Sequence, residues 1–303
     1  MPDIALGVVV LTRTDKLSGL LESVEQQPID KVYIADNGKM TPEKEQLYNE
    51  DFAFELVVLD LEYDIGLGYS RDSIVKEFDE DYLFVVDSDH ELPHNAMLLL
   101  DQLEERPDIG GIAGSLIEPD QGKLWQDAKD FHEEGNDLVR GARYEEKNIE
   151  YISGSPFVEF DFIPNAVLFR KECLQDYSWD PEYPLGRAHA DFYLGHWLNT
   201  DWKFGISPEV LFRHYPGGDT EYISHRRADE KYEFAEKYFL GKWGYDDFRT
   251  DYRYWYSTHY EDLTIVGRAK RYYQEEGSKA FLKKSIRSAP DIARRNISMF
   301  MDR

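Results

Sequence analysis

Asp87 and Asp89 bracket a single serine directly after the apolar run 82–86. Two carboxylates so placed offer hard oxygen ligands to one divalent cation, and Mn2+ or Mg2+ suits them. Such an ion would neutralise a diphosphate and stabilise the charge on a departing nucleoside diphosphate. Asp79-Glu80-Asp81 repeats the spacing, so spacing alone carries little in an acidic chain. The position at the end of an apolar strand singles out Asp87 and Asp89.

Comparable polar residues follow two other apolar runs: Thr12-Arg13-Thr14 after the first and Asp36-Asn37-Gly38 after the second. His214 follows Val210-Leu211-Phe212 and precedes Tyr215-Pro216-Gly217-Gly218, at a strand end before a glycine-bearing loop. His189 and His196 stand seven residues apart and are not read as a metal site.

The elements that must position these residues alternate in the manner of βαβ units. Strands are expected at 5–11, 31–35, 55–59, 82–86 and 109–114, with helices at 15–26, 42–49, 68–78 and 93–104. In an open α/β sheet ligands lie beyond the carboxyl ends of the strands, which is where the polar residues above fall. Residues 118–154 turn polar without a sustained period. Strands return at 157–163, 166–170, 202–206 and 210–213, with helices at 190–198 and 221–239.

This order of motifs resembles family 2 glycosyltransferases of the GT-A fold, over residues 1–215. The run passes from Val8-Val9-Val10-Leu11-Thr12 through Ala35-Asp36-Asn37-Gly38 and Asp64-Ile65-Gly66-Leu67-Gly68-Tyr69-Ser70-Arg71-Asp72 to Val85-Val86-Asp87-Ser88-Asp89. The resemblance implies an α/β, Rossmann-like, mainly parallel sheet flanked by helices. It implies that Thr12 and Asp36 contact nucleobase and ribose, that Gly66, Gly68 and Arg71 lie beside the donor, and that Asp87 and Asp89 bind metal and diphosphate. His214 would complete the metal shell or contact the diphosphate. Asp191, in Arg187-Ala188-His189-Ala190-Asp191, takes the place of the family's acceptor-side base, although Ala190 replaces the usual first acidic residue. Plainer readings stand beside these: Asp36-Asn37-Gly38 as a turn, the glycines as a positive-φ helix entry, Arg71 as a partner of neighbouring acids, and Asp191 as a helix-capping residue.

The function expected from the resemblance is transfer of a sugar from a nucleoside-diphosphate sugar, UDP by default, to an acceptor hydroxyl with inversion. A sugar-phosphate nucleotidyltransferase is the alternative enzyme, although the glycines it would need after the first strand are missing. A glycan-binding protein without turnover is the alternative outside catalysis. The 15% aromatic content would supply faces for stacking on sugars.

Composition bounds the partners. A formal charge of −25 repels nucleic-acid phosphates. One cysteine, Cys173, rules out an intramolecular disulfide and a cysteine zinc cage, and fits a reducing compartment. No run approaches the roughly 20 apolar residues of a spanning helix, so a cytoplasmic protein is expected. Residues 1–240 read as the catalytic domain, with 1–115 for the nucleotide sugar and 116–240 for the acceptor, and 241–303 as a helical extension. Its end, 277–303, carries seven basic and two acidic residues. That tail suits either packing on the acidic body or peripheral contact with the anionic inner face of the cell membrane, where a lipid-linked glycan would be the acceptor.

Overall fold

The structure, a computed structural model, describes residues 2–141, 144–218, 222, 228–251 and 253–259. Strand β1 (Ile4–Val10) leads through α1 (Thr14–Val24), β2 (Lys31–Asp36), α2 (Pro42–Tyr48), β3 (Glu55–Asp60) and α3 (Leu67–Glu77) to β4 (Tyr82–Asp87). The two-residue β5 (His90–Glu91), α4 (Leu98–Glu105) and β6 (Ile109–Glu118) follow. Next come the short strands β7 (Lys123–Gln126), β8 (Asp130–Glu134), β9 (Asp137–Gly141), β10 (Glu150–Ile152) and β11 (Ser155–Glu159). The described chain closes with β12 (Ala166–Arg170), α5 (Lys171–Asp176), α6 (Ala188–Asn199), β13 (Lys203–His214), α7 (Asp229–Trp243), β14 (Asp247–Thr250) and β15 (Tyr256–Ser257).

Strands β3, β2, β1 and β4 lie side by side in parallel, as their alternation with helices requires. Strand β12 is inserted antiparallel between β4 and β6, and β13 runs parallel to β6 on the far side. Both faces of the sheet are covered. Leu6, Val8 and Val10 pack with Leu17, Leu20, Leu21 and Val24 of α1 on one face. Ala5 belongs with Ile74 and Phe78 of α3 on the other. That double burial explains why the strands read as nearly unbroken apolar runs.

Several elements differ from expectation for identifiable reasons. The helix expected from Pro93 begins at Leu98, because turns closed by Ala96 N–H on Pro93 O and Leu98 N–H on Asn95 O occupy its first turn. The strands expected at 202–206 and 210–213 are one strand, β13, with a register shift between Ile206 and Leu211 that absorbs Pro208. The aperiodic region 118–154 holds β7 to β10, each too short to show a period. The expected helix 221–239 runs Asp229–Trp243 and ends on Gly244 at φ 77°. Beyond it, the described part of the expected helical extension is β14, which pairs with β9, and β15, which pairs with β7. The basic tail 277–303 lies outside the described residues. No helix among the described residues is long and apolar enough to cross a membrane.

Candidate active site

Register places the candidate residues at one edge of the sheet. Val10 of β1 is opposite Asp36 of β2, and Val9 is opposite Asp87 of β4. The backbone then turns through Ser88 and Asp89 into β5, which pairs antiparallel with the end of β13, so that His90 is opposite His214. Tyr215 N–H donates to Asp89 O at 2.9 Å and fixes that junction.

Ligand atoms of Asp89, His90 and His214 lie within 4.8 Å of one another. Asp89 is buried, its Oδ2 accepting from Arg13 Nη1 at 2.6 Å and facing His214 Nε2 at 3.5 Å. Burial pushes the Asp89 carboxyl up, but the His214 hydrogen bond and the charges of His90 and Arg13 outweigh it and hold it below the usual carboxylate range. Burial pulls His214 down, while Asp89 and Glu118 more than reverse this and push it up to about 9. His90 is lowered by burial, with Asp87 and Asp89 opposing. Carboxylate oxygen and imidazole nitrogen together are a donor set that Mn2+ accepts more readily than Mg2+. These residues fit a divalent ion that takes over the positive charge now supplied to Asp89 by Arg13 and His214.

Asp87 stands apart from that set. Its carboxylate is 42% exposed and faces Arg71 Nη2 at 3.4 Å and Asn165 Nδ2 at 3.3 Å. Alongside the expected Asp87–Asp89 pair, the structure gathers Asp89 with two histidines. Of these, His214 was expected and His90 was not. Arg71 is buried, lies 5.4 Å from the Trp179 ring, and leaves Nη1 without a partner among the described residues.

Asp36 is buried and used internally. Its oxygens accept from Lys44 Nζ at 2.6 Å, Tyr48 O–H at 2.8 Å and Gly38 N–H at 2.9 Å. Lys44 comes to it from α2, whose first turn is set by Pro42 and by Thr41 Oγ1 accepting from Lys44 N–H. In this structure Asp36 ties α2 and the Gly38 turn to the end of β2, a structural use that the sequence reading did not include. Thr12 has no such partner: its buried Oγ1 has none among the described residues. It lines a cleft of about 560 Å³ together with Arg13, Lys16, Lys39 and Lys44. Asp15 and Glu43 share the wall, so in a protein of charge −25 the four basic residues leave a local excess of positive charge, part of it paired with Asp89 and Asp36, which suits a phosphorylated ligand.

Gly66 has the positive φ of the helix entry that was the plainer reading of these glycines. Leu67 N–H donates to Pro184 O at 3.0 Å and Gly68 N–H to Tyr183 O at 2.9 Å. A Cβ on Gly68 would lie 2.2 Å from Asp180 O, and Gly66 has φ 119°. The glycines let segment 180–184 lie against the entry to α3, a packing role that covers the loop.

Asp191 is fully buried in the first turn of α6. Tyr183 O–H at 3.0 Å and Trp243 Nε1–H at 2.8 Å donate to Oδ1, and Tyr177 O–H at 3.0 Å and Lys242 Nζ at 2.9 Å donate to Oδ2. Four donors on two enclosed oxygens leave no room for an acceptor hydroxyl. In this structure Asp191 is an anchor that joins α6 to the end of α7, an arrangement that speaks against the base role expected of it.

The profile described as glycosyl transferase family 2 matches residues 7–177. The chain belongs to that family. It is a glycosyltransferase, and its large sheet flanked by helices is the GT-A architecture. Among solved structures it is similar to S. aureus TarS 1-349 in complex with UDP-GlcNAc, at 13% identity and TM-score 0.55 over 80% of this chain and 67% of that one. It is also similar to GalNAc-T7 with UDP, GalNAc and Mn2+, at 12% identity and TM-score 0.56 over 93% of this chain and 56% of that one. At such identities the likeness speaks for the fold. No curated protein matches the chain in sequence.

The family match covers Thr12, Asp36, Arg71, Asp87 and Asp89 of this glycosyltransferase but ends before Asp191 and His214. The place of those two rests on the structure. Lys44 and Glu118 escaped the sequence reading as site residues, whereas Arg13 and His90 lay in the polar runs that follow β1 and β4 and were given no role there.

Proposed function

We propose that this glycosyltransferase takes a sugar from a nucleoside-diphosphate sugar, UDP first, and passes it to an acceptor hydroxyl with inversion by direct displacement. The observation that carries the reading is the juxtaposition of the Asp89, His90 and His214 ligand atoms with the cation-lined cleft. Thr12, Arg13 and Lys16 would receive the diphosphate at the start of α1, where the helix dipole also favours negative charge. Asp89 and His214, with His90 beside them, would hold Mn2+ or Mg2+. When bound, that ion supplies positive charge to the diphosphate as it leaves. Asp87, exposed at the end of β4 and flanked by Arg71 and Asn165, is positioned to accept hydrogen bonds from hydroxyls of the donor. The basic composition of 277–303 supports an acceptor at the cytoplasmic face of a membrane, a lipid-linked saccharide.

The test is protection against thermal unfolding by UDP, GDP and TDP, each with and without Mn2+, in wild type and Asp89→Ala, followed by release of the nucleotide from the matching sugar donor. Stabilisation by one nucleotide that requires Mn2+ and is lost in the variant supports the reading. Binding without release, given a panel of saccharide acceptors, favours the glycan-binding alternative, which the enclosure of Asp191 independently supports. No stabilisation at low or high salt defeats the donor site.

A further inference from the structure

We propose that Glu118 is a positioning residue for the metal site, holding the His214 ring with Nε2 toward Asp89 and Nδ1 turned away from the ion. The proposal rests on the reading that Asp89 and His214 hold a divalent cation. The His214 ring bridges two carboxylates: Nε2 is 3.5 Å from Asp89 Oδ2, and Nδ1 is 3.5 Å from Glu118 Oε1. Topology sets this. Strand β6 ends at Glu118 and runs parallel to β13, with Ile117 opposite Arg213, so the next residue of each strand brings Glu118 beside His214.

Glu118 is only 6% exposed, and a buried carboxylate must find donors. Trp125 Nε1–H supplies one at 2.6 Å, and Lys123 Nζ stands at 4.0 Å. Both come from β7, which pairs with β6 as an antiparallel hairpin that places Lys123 opposite Glu118. Both contacts fall on Oε1, the oxygen that also faces the histidine, so the atom that would receive Nδ1–H is itself held in place. His214 Nδ1 is buried and has no well-formed hydrogen bond among the described residues. A shift of a few tenths of an ångström would close the gap. The ring is also confined by its neighbours, His90 edge-on at 5.2 Å and Trp125 at 6.0 Å. Metal-bound histidines commonly donate their second N–H to a carboxylate, which fixes the tautomer and raises ligand basicity, and loss of that partner lowers metal affinity about 10–100-fold. Glu118 has the position, burial and anchoring for that role.

The experiment is calorimetric titration of the full chain with Mn2+, with and without saturating UDP, for wild type, Glu118→Gln and Trp125→Phe. Pulsed EPR of bound Mn2+ would read the coupling to histidine nitrogen. We expect both variants to fold without metal, Glu118→Gln with a lowered melting temperature because a buried carboxylate facing Lys123 and His214 is lost. Mn2+ affinity should fall about 10–100-fold in Glu118→Gln and by less in Trp125→Phe, with the histidine coupling weakened in step. Should Glu118→Gln not fold, Trp125→Phe decides alone. Unchanged affinity and coupling in the folded variants overturn the positioning role and leave the metal site standing. Wild type that takes up no Mn2+ with or without UDP overturns both.

Discussion

Lys242 Nζ lies 2.9 Å from the Asp191 carboxylate, an ion pair between the end of α7 and the first turn of α6. Asp191 is fully enclosed and Lys242 only a quarter exposed, and the pair is completed by Tyr177, Tyr183 and Trp243. Removing one partner of a buried pair strands the other, at about 3–5 kcal/mol. Asp191→Asn should therefore lower unfolding free energy by about 3 kcal/mol in urea titrations, with Lys242→Met losing less because its head is nearer solvent. A variant that keeps wild-type stability but loses all transfer activity would return Asp191 to the role of base.

The Lys44–Asp36 pair makes a second case. Lys44→Met leaves the Asp36 carboxylate buried with Tyr48 and Gly38 as its remaining donors, so a loss of about 3–5 kcal/mol is expected. The combined Asp36→Leu, Lys44→Met chain should recover much of it, because a buried pair replaced by apolar groups of similar volume is often neutral. Protection by UDP should be compared between Lys44→Met and the double variant: Lys44 lines the cleft, so both lose part of it, and only a further loss in the double variant would make Asp36 a nucleoside contact.

How much of this could be read from sequence follows from range. The strands β1 to β4 are set by local apolar runs, and their observed bounds fall within a residue of expectation; the placing of Thr12 and Asp89 at their ends came with them. Partners from elsewhere were not legible. Asp36 looks like a turn residue until α2 returns Lys44 to it, and Asp191 looks open until residues 177, 183, 242 and 243 close around it. Gly66 and Gly68 were visible as glycines, yet the segment that needs them lies over a hundred residues on. Chemistry that depends on which loop covers which strand end is decided by tertiary packing, which no local pattern encodes.

Gly68→Ala tests the packing role of that loop. The added methyl would meet Asp180 O at 2.2 Å, and backbone cannot yield as a flexible side chain would. Overpacking of this kind costs about 1–3 kcal/mol, measurable as a lower urea midpoint. Segment 180–184 also carries Tyr183, so amide exchange should quicken there and at Asp191. Protection by UDP disappearing without any loss of stability would instead place the glycine against the donor.

Two histidines of α6 give a pH dependence of known sign. Burial, reinforced by the charge of Arg71, lowers His189 to about 3, and burial lowers His196 to about 4. In the unfolded chain both take up protons near about 6.5. Their folded pKa values lie below the unfolded ones, so the stability they contribute is complete above about 6.5 and falls as pH drops toward 4, where only the unfolded state gains protons. Urea unfolding at pH 7.5, 6, 5 and 4.5 should show this decline, shallower in His196→Gln than in wild type. Parallel slopes in the two chains would remove His196 as a contributor.

Arg13 carries the sharpest prediction, because its effects on two ligands should have opposite signs. Its backbone is held at φ 65° ahead of α1, and its guanidinium grips Asp89 at 2.6 Å and Ser88 Oγ at 3.0 Å while lying 4.0 Å over the Tyr222 ring. A divalent ion at Asp89 must compete with that grip, whereas a diphosphate in the cleft gains from the same charge. Arg13→Gln should therefore strengthen binding of Mn2+ alone, and a charge-assisted bond of about 1.5–3 kcal/mol sets the upper bound of the gain. It should weaken binding of UDP in the absence of metal. Titrations of each ligand by itself separate the two effects. A loss of both would mean that Arg13 chiefly keeps the Asp89 loop in shape, and a gain of neither would remove it from the site.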